Sequence, residues 1–154
     1  MNDYGLSTLD TVLIQRTLLA MICDVDLLQL DAAERLFAPQ VEVDYTSLWG
    51  GDPARMSAAE LIGSWRTLLP GFDATWHELG VIDVRVHGST AEAACSVAAR
   101  HWLDGAVWLP QGRYEFGLVH ESAWRISQMR LVVTAEIGDR TLVDRARGSS
   151  KRRV

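Results

Sequence analysis

Residues 21–50, Met21-Ile-Cys-Asp-Val-Asp-Leu-Leu-Gln-Leu-Asp-Ala-Ala-Glu-Arg-Leu-Phe-Ala-Pro-Gln-Val-Glu-Val-Asp-Tyr-Thr-Ser-Leu-Trp-Gly50, carry the chain from a long apolar helix through a short one into a strand. Leu9, Val12, Leu13, Arg16, Leu19, Ala20, Cys23, Asp26 and Leu27 recur at i, i+3, i+4 spacing, which predicts that Asp26 shares a helix face with Leu19 and Cys23. Ile14, Leu18, Met21, Ile22, Val25 and Leu28 form a second apolar face. An ionised carboxylate there is costly to desolvate unless paired. Asp26 therefore needs either a partner beside a polar cavity or a solvated place in the last turn.

Outward from this stretch, Asp31 and Glu34 have capping-box spacing for a helix over 32–37 that stops before Pro39. Val41, Val43 and Tyr45 alternate with Glu42 and Asp44, as in a half-buried strand with Tyr45 inward. Ser57 and Glu60 make a second capping box for a helix over 58–69, closed by Pro70-Gly71. The remainder predicts strands over 75–86, 91–103, 112–120 and 123–136. Turns fall at 87–89, 104–105, 110–112 and 121–122, and a short helix starts at Asp139.

The pattern is α+β: three N-terminal helices packed on a strongly curved antiparallel sheet, a cone that encloses a pocket. Long strands need bending to close around a core, and Gly80, Gly88 and Gly117 are candidate bulge or kink positions. A chain of 154 residues suits a single domain over 1–147, followed by a disordered basic tail over 148–154.

The net charge of −5 includes Lys151, Arg152 and Arg153 of that tail, so the folded body is more acidic still. Such a body repels phosphate backbones, so no nucleic-acid partner is expected. No apolar run reaches the roughly 18 residues of a membrane span, and the acidic, polar start is unlike a signal peptide. A soluble cytoplasmic protein is the expectation. Cys23 and Cys95 have no metal or disulfide spacing and read as small core residues. The four histidines likewise show no metal-ligand spacing, so no metal is expected.

The run Phe37-Ala-Pro-Gln-Val-Glu-Val-Asp-Tyr-Thr-Ser-Leu-Trp49, followed by Ser57-Ala-Ala-Glu60 and Thr75-Trp-His-Glu-Leu-Gly80, resembles the SnoaL-like branch of the nuclear transport factor family of cone-shaped proteins. Its pattern is similar to that of the scytalone dehydratases. The resemblance covers residues 9 to 146. It implies an Asp26–His77 dyad inside the cone, with Tyr45 holding a water or substrate carbonyl and His101 as a second histidine. Two positions depart from the dehydratase pattern: Val25 stands where a tyrosine would assist the carbonyl, and the strand over 112–120 has no Ser-x-Asn pair.

The implied function is a cofactor-independent lyase carrying out dehydratase-type elimination on a small apolar, polycyclic or aromatic metabolite. The alternatives are an isomerase or cyclase of polyketide or terpenoid tailoring, or a non-catalytic small-molecule-binding module. Neutral imidazole titrates near working pH, and a carboxylate on its other nitrogen fixes the tautomer and supports the imidazolium, as proton abstraction requires.

His77 has the parity of Thr75 and Leu79 and lies opposite Trp76, while His101 shares a face with Cys95, Val97, Ala99 and Leu103. A buried structural histidine would carry the same signature. His87 and His120 fall at turns and read as surface residues. Trp49, Trp65, Trp108, Phe116 and Arg130 are the candidate substrate contacts. Arg130 enters because it shares the parity of Trp124 and Ile126. Trp76, Arg100 and Trp102 lie on the opposite sheet face and predict the interface of a homodimer or higher homo-oligomer.

Overall fold

The first helix, α1 (Asp3–Asp26), buries the second of its two apolar faces. Ile14, Leu18, Met21, Ile22 and Val25 enter the core, whereas Leu9, Val12, Leu13, Leu19 and Leu27 are exposed, and Cys23 with them. The expected stripe and the core placement of Cys23 are thus corrected. Arg16 explains the choice: it sits in the middle of the exposed stripe, and burying it would require a partner, whereas the other face carries no charge. This computed structural model describes residues 3–149, with side chains from residue 8 onward. The tail expected from residue 148 lies, from 150 on, outside the described residues.

Termination of α1 is tight. Leu28 adopts φ 57°, and the N–H of Gln29 donates to the carbonyl of Asp24 at 2.7 Å, the long-range bond of a Schellman-type end. Asp26 is thereby fixed in the last turn, on the border between the buried face and solvent.

Helix α2 (Leu30–Glu34) starts without a side-chain cap, so the Asp31–Glu34 capping box does not form. Asp31 pairs instead with Arg66. Strand β1 (Phe37–Asp44) follows, with Val41 and Val43 inward, and Tyr45 begins the short helix α3 (Thr46–Trp49) rather than continuing the strand. Strand β2 (Ala54–Ser57) leads into α4 (Ala58–Arg66), whose Ser57/Glu60 capping box is formed as expected. The last turn of the longer helix expected here is a separate 3-10 turn, Leu69–Gly71.

The strand expected over 75–86 is two, β3 (Ala74–Leu79) and β4 (Asp83–His87), and both pair with β5 (Thr90–Leu103). Strand β6 (Ala106–His120) runs straight through the turn expected at 110–112, which is a bulge. Gly112 is required there, because a Cβ would lie 2.0 Å from the carbonyl oxygen of Val132. Strand β7 (Trp124–Gly138) and helix α5 (Leu142–Ser149) complete the order.

The sheet order is β2-β1-β7-β6-β5-β3, with β4 also on β5. Its pairs are antiparallel except β1 with β7, which is parallel, so the sheet is mixed and not wholly antiparallel. Bulges at Gln111/Gly112 and Gly117/Leu118 bend it. The result is the α+β cone: a large curved, unclosed sheet with the N-terminal helices against it. Among the described residues no helix is long and apolar enough to cross a membrane.

Candidate active site

Strand β3 is an edge strand, so the N–H of His77 that turns away from β5 has no ladder partner. Asp26 supplies one. Its Oδ2 accepts the backbone N–H of His77 at 2.8 Å, and its Oδ1 accepts the hydroxyl of Thr75 at 2.9 Å and lies 2.6 Å from the His77 ring Nδ1. The two side chains are 11% and 9% exposed. Burial pushes the Asp26 carboxyl upward, but the bonds and charge of His77, with the hydroxyl of Thr75, outweigh it and hold the group below the usual carboxylate value. Asp26 is an anion whose oxygens are both committed. It therefore fixes the His77 proton on Nδ1 and leaves Nε2 as the basic nitrogen.

His77 borders an apolar cavity of about 320 Å³ inside the cone. Tyr45, His101, Trp49, Trp65 and Trp108 border it too, so the structure brings these candidates together. His77 and His101 lie on adjacent strands with ring centroids 5.5 Å apart. His101 is buried between Phe72 and Trp108, with centroids at 4.9 and 4.7 Å, and its Nδ1 lies 3.0 Å from the carbonyl oxygen of Ala99. Burial, with the neighbouring His77, lowers its pKa to about 3, so it is a neutral imidazole at working pH.

Tyr45 lines the cavity beside Tyr114, which parity analysis passed over although it shares a face with Phe116. The Tyr45 hydroxyl donates to Met129 Sδ at 3.6 Å, and burial raises both tyrosines well above the ordinary value. Both stay protonated and can donate to a substrate oxygen.

The cavity mouth is pinned by a polar chain. The Trp108 indole N–H donates to Glu136 Oε1 at 2.7 Å, Arg140 binds the same carboxylate at 2.7 and 2.9 Å, and Arg140 also donates to the carbonyl of Leu48. Trp49, on the rim, lies 5.8 Å from Trp108 and under the guanidinium groups of Arg140 and Arg147. Nothing local in the sequence announces Arg147, because its place depends on how α5 docks.

Two candidates are not at the cavity. Arg130 is on the outer face, ion-paired with Asp44 and Glu115 at 3.3 Å each. The bulge around Gln128 shifts the phase of β7: Trp124 and Ile126 point inward, then Met129 and Leu131, so Arg130 turns out. Phe116 is buried and stacks on Tyr114 at 5.3 Å, but it fills the core and does not line the cavity. His87 and His120 are exposed, as expected.

The sequence model of the SnoaL-like domain matches residues 7–130. Among solved structures, the Kfla4162 protein of Kribbella flavida superposes with a TM-score of 0.82 at 23% identity, covering 91% of this chain and 98% of its own. A candidate scytalone dehydratase from Novosphingobium aromaticivorans gives a TM-score of 0.74 at 19% identity, covering 90% and 92%. The hexachlorocyclohexane dehydrochlorinase LinA-type3 of Novosphingobium barchaimii gives 0.70 at 14%, covering 88% and 94%. At these identities the likeness is one of fold. No curated protein matches the chain.

Proposed function

This chain belongs to the SnoaL-like domain family, and we propose that it is a cofactor-independent lyase acting by dehydratase-type elimination on a small, largely apolar, fused-ring or aromatic substrate. The observation that carries the reading is the His77 imidazole, which is held on one nitrogen by a doubly anchored anion and borders an apolar cavity on its other side. A plain apolar binder has no use for that arrangement.

In this reading Nε2 of His77 takes a proton from a carbon next to a carbonyl or an aromatic system. The C–H electron pair becomes the new C=C bond, and the β-substituent departs with its own bonding pair. Asp26 stabilises the imidazolium as it forms. Tyr45 or Tyr114 donates a hydrogen bond to the oxygen on which negative charge grows, a role suited to a hydroxyl that stays protonated. The imidazolium then returns its proton to the leaving group, which departs as water when it is hydroxide. His101, being neutral, adds no competing positive charge beside His77.

The test is turnover of hydroxylated or halogenated ketones and aromatics by the wild type and by His77→Gln. Loss of a general base costs about 10²- to 10⁴-fold in rate. Undiminished turnover in the variant refutes the dyad. Tight binding without turnover throughout the set points to a binding module.

A further inference from the structure

Strand β3 grips the Asp26 carboxylate at both of its oxygens. Oδ2 accepts the backbone N–H of His77 at 2.8 Å, and Oδ1 accepts the hydroxyl of Thr75 at 2.9 Å. Thr75 and His77 share the inward face of the strand, so a single carboxylate bridges the two positions. The His77 ring is the third group on it, with Nδ1 2.6 Å from Oδ1.

These three contacts are tied to different things. The amide N–H of His77 belongs to the backbone of a strand paired in register with β5, where Thr75 faces His101 and His77 faces Ala99. Thr75 is 8% exposed, and a β-branched side chain has few rotamers open to it in a strand. Both of these anchors belong to the frame of the sheet. The imidazole, in contrast, can turn about its own side-chain torsions. Asp26 therefore passes to the ring an orientation that it receives from the strand. Without the Thr75 hydroxyl, Oδ1 is tied to the ring alone, and carboxylate and imidazole can turn together about the remaining bond to the amide.

Burial makes the polarity of position 75 informative. Valine has nearly the shape of threonine, suits a buried strand position as well, and carries no hydroxyl to desolvate. The bond to Asp26 accounts for the hydroxyl. Thr75 is absent from the described residues that border the cavity, so it acts on a bound molecule only through Asp26 and His77.

We propose that Thr75 is a positioning residue: by pinning Oδ1 of Asp26 to the strand, it fixes the plane of the His77 imidazole and so the direction in which Nε2 faces the cavity. This deepens the lyase reading and rests on it only in taking Nε2 as the base.

Nuclear magnetic resonance of protein carrying nitrogen-15 histidine tests the proposal near neutral pH and without a substrate, with His77 assigned by its loss from the spectrum of His77→Gln. In the wild type the Nδ1 proton should give a far-downfield resonance protected from water, and the two ring nitrogens should have well-separated shifts, one protonated and one bare. Thr75→Val should lose that proton resonance to exchange and draw the two nitrogen shifts together. Thr75→Ser keeps the hydroxyl and should keep the resonance. Each variant is checked for folding by its thermal transition, and Thr75→Ala gives the same reading should Thr75→Val not fold. A protected resonance that persists unchanged in Thr75→Val overturns the proposal. So does its absence from the wild type, or a loss in Thr75→Ser as complete as in Thr75→Val. Because the spectra read the ring and not turnover, the two ideas fail separately: the expected pattern in a protein that turns nothing over leaves Thr75 in its role and removes only the base.

Discussion

Asp26 meets His77 twice, once at the ring and once at the backbone, with Oδ1 2.6 Å from Nδ1 and Oδ2 2.8 Å from the amide nitrogen. In Asp26→Asn only one of these contacts can keep an oxygen. If the amide NH₂ faces Nδ1, the ring proton moves to Nε2 and the base is lost. Turnover should fall about 10²- to 10⁴-fold with the fold retained. The variant also has a stability signature. Because the folded pKa lies below the unfolded value of 3.8, the stabilisation from Asp26 is present above that pH and is lost as pH falls through the folded value. The gap in urea midpoint between wild type and Asp26→Asn should therefore be widest near neutrality and close in acid.

His101 gives a pH dependence of the same sign in a higher window. The unfolded chain binds a proton near pH 6.5, whereas the buried imidazole does so only near 3, so between those values the unfolded state holds more protons. Stability is then lost as pH falls from 6.5, by at most about 1.4 kcal/mol per pH unit from this group. His101→Phe keeps a ring between Phe72 and Trp108 and removes the titration. Urea denaturation between pH 4 and 6.5 should show a shallower pH slope for the variant than for the wild type.

Glu136 tests the staple at the mouth. Glu136→Ala leaves the indole N–H of the buried Trp108 without its acceptor, a loss of about 1–3 kcal/mol in chemical denaturation. Glu136→Gln keeps an acceptor and should lose less. Equal losses in the two variants would show that the hydrogen bond to Trp108 carries no weight.

Trp76 is 58% exposed and Trp102 36% on the outer sheet face, beside the Arg100–Glu78 ion pair at 2.8 Å. An aromatic patch ringed by charge suits a two-fold contact between copies, because each ion pair can face its symmetry mate. Sedimentation at micromolar concentration should give a dimer for the wild type and a monomer for Trp76→Glu. A monomeric wild type removes the homodimer.

How far the sequence revealed the site depended on whether strand phase held. Along β3 and the distal half of β5 alternation is unbroken, so the inward parity of His77 and His101 was readable. Along β7 a bulge inserts one residue, so Arg130 has the parity of the inward Trp124 in sequence yet lies on the outer face. Helix α1 defeated periodicity for another reason: both faces are apolar, and only the charge of Arg16 distinguishes the one left in solvent. The parallel seam between β1 and β7 and the docking of α5 join segments distant in the chain, and no local spacing encodes either.

That parallel seam bears on how the protein is made. Strand β1 cannot find its place until β7, more than half the chain later, has been synthesised, and His77, Trp108 and Arg147 come from three further separated segments. Contacts of such sequence separation incur loop-closure entropy before any pairing offsets it, which slows folding. A growing chain thus holds α1 and β1 without the surface that covers them, and the cavity is completed only at the end of folding. Refolding followed by ligand binding should lag behind refolding followed by helix formation, and slow translation through β7 should prolong the time during which α1 and β1 are open to chaperones or to aggregation.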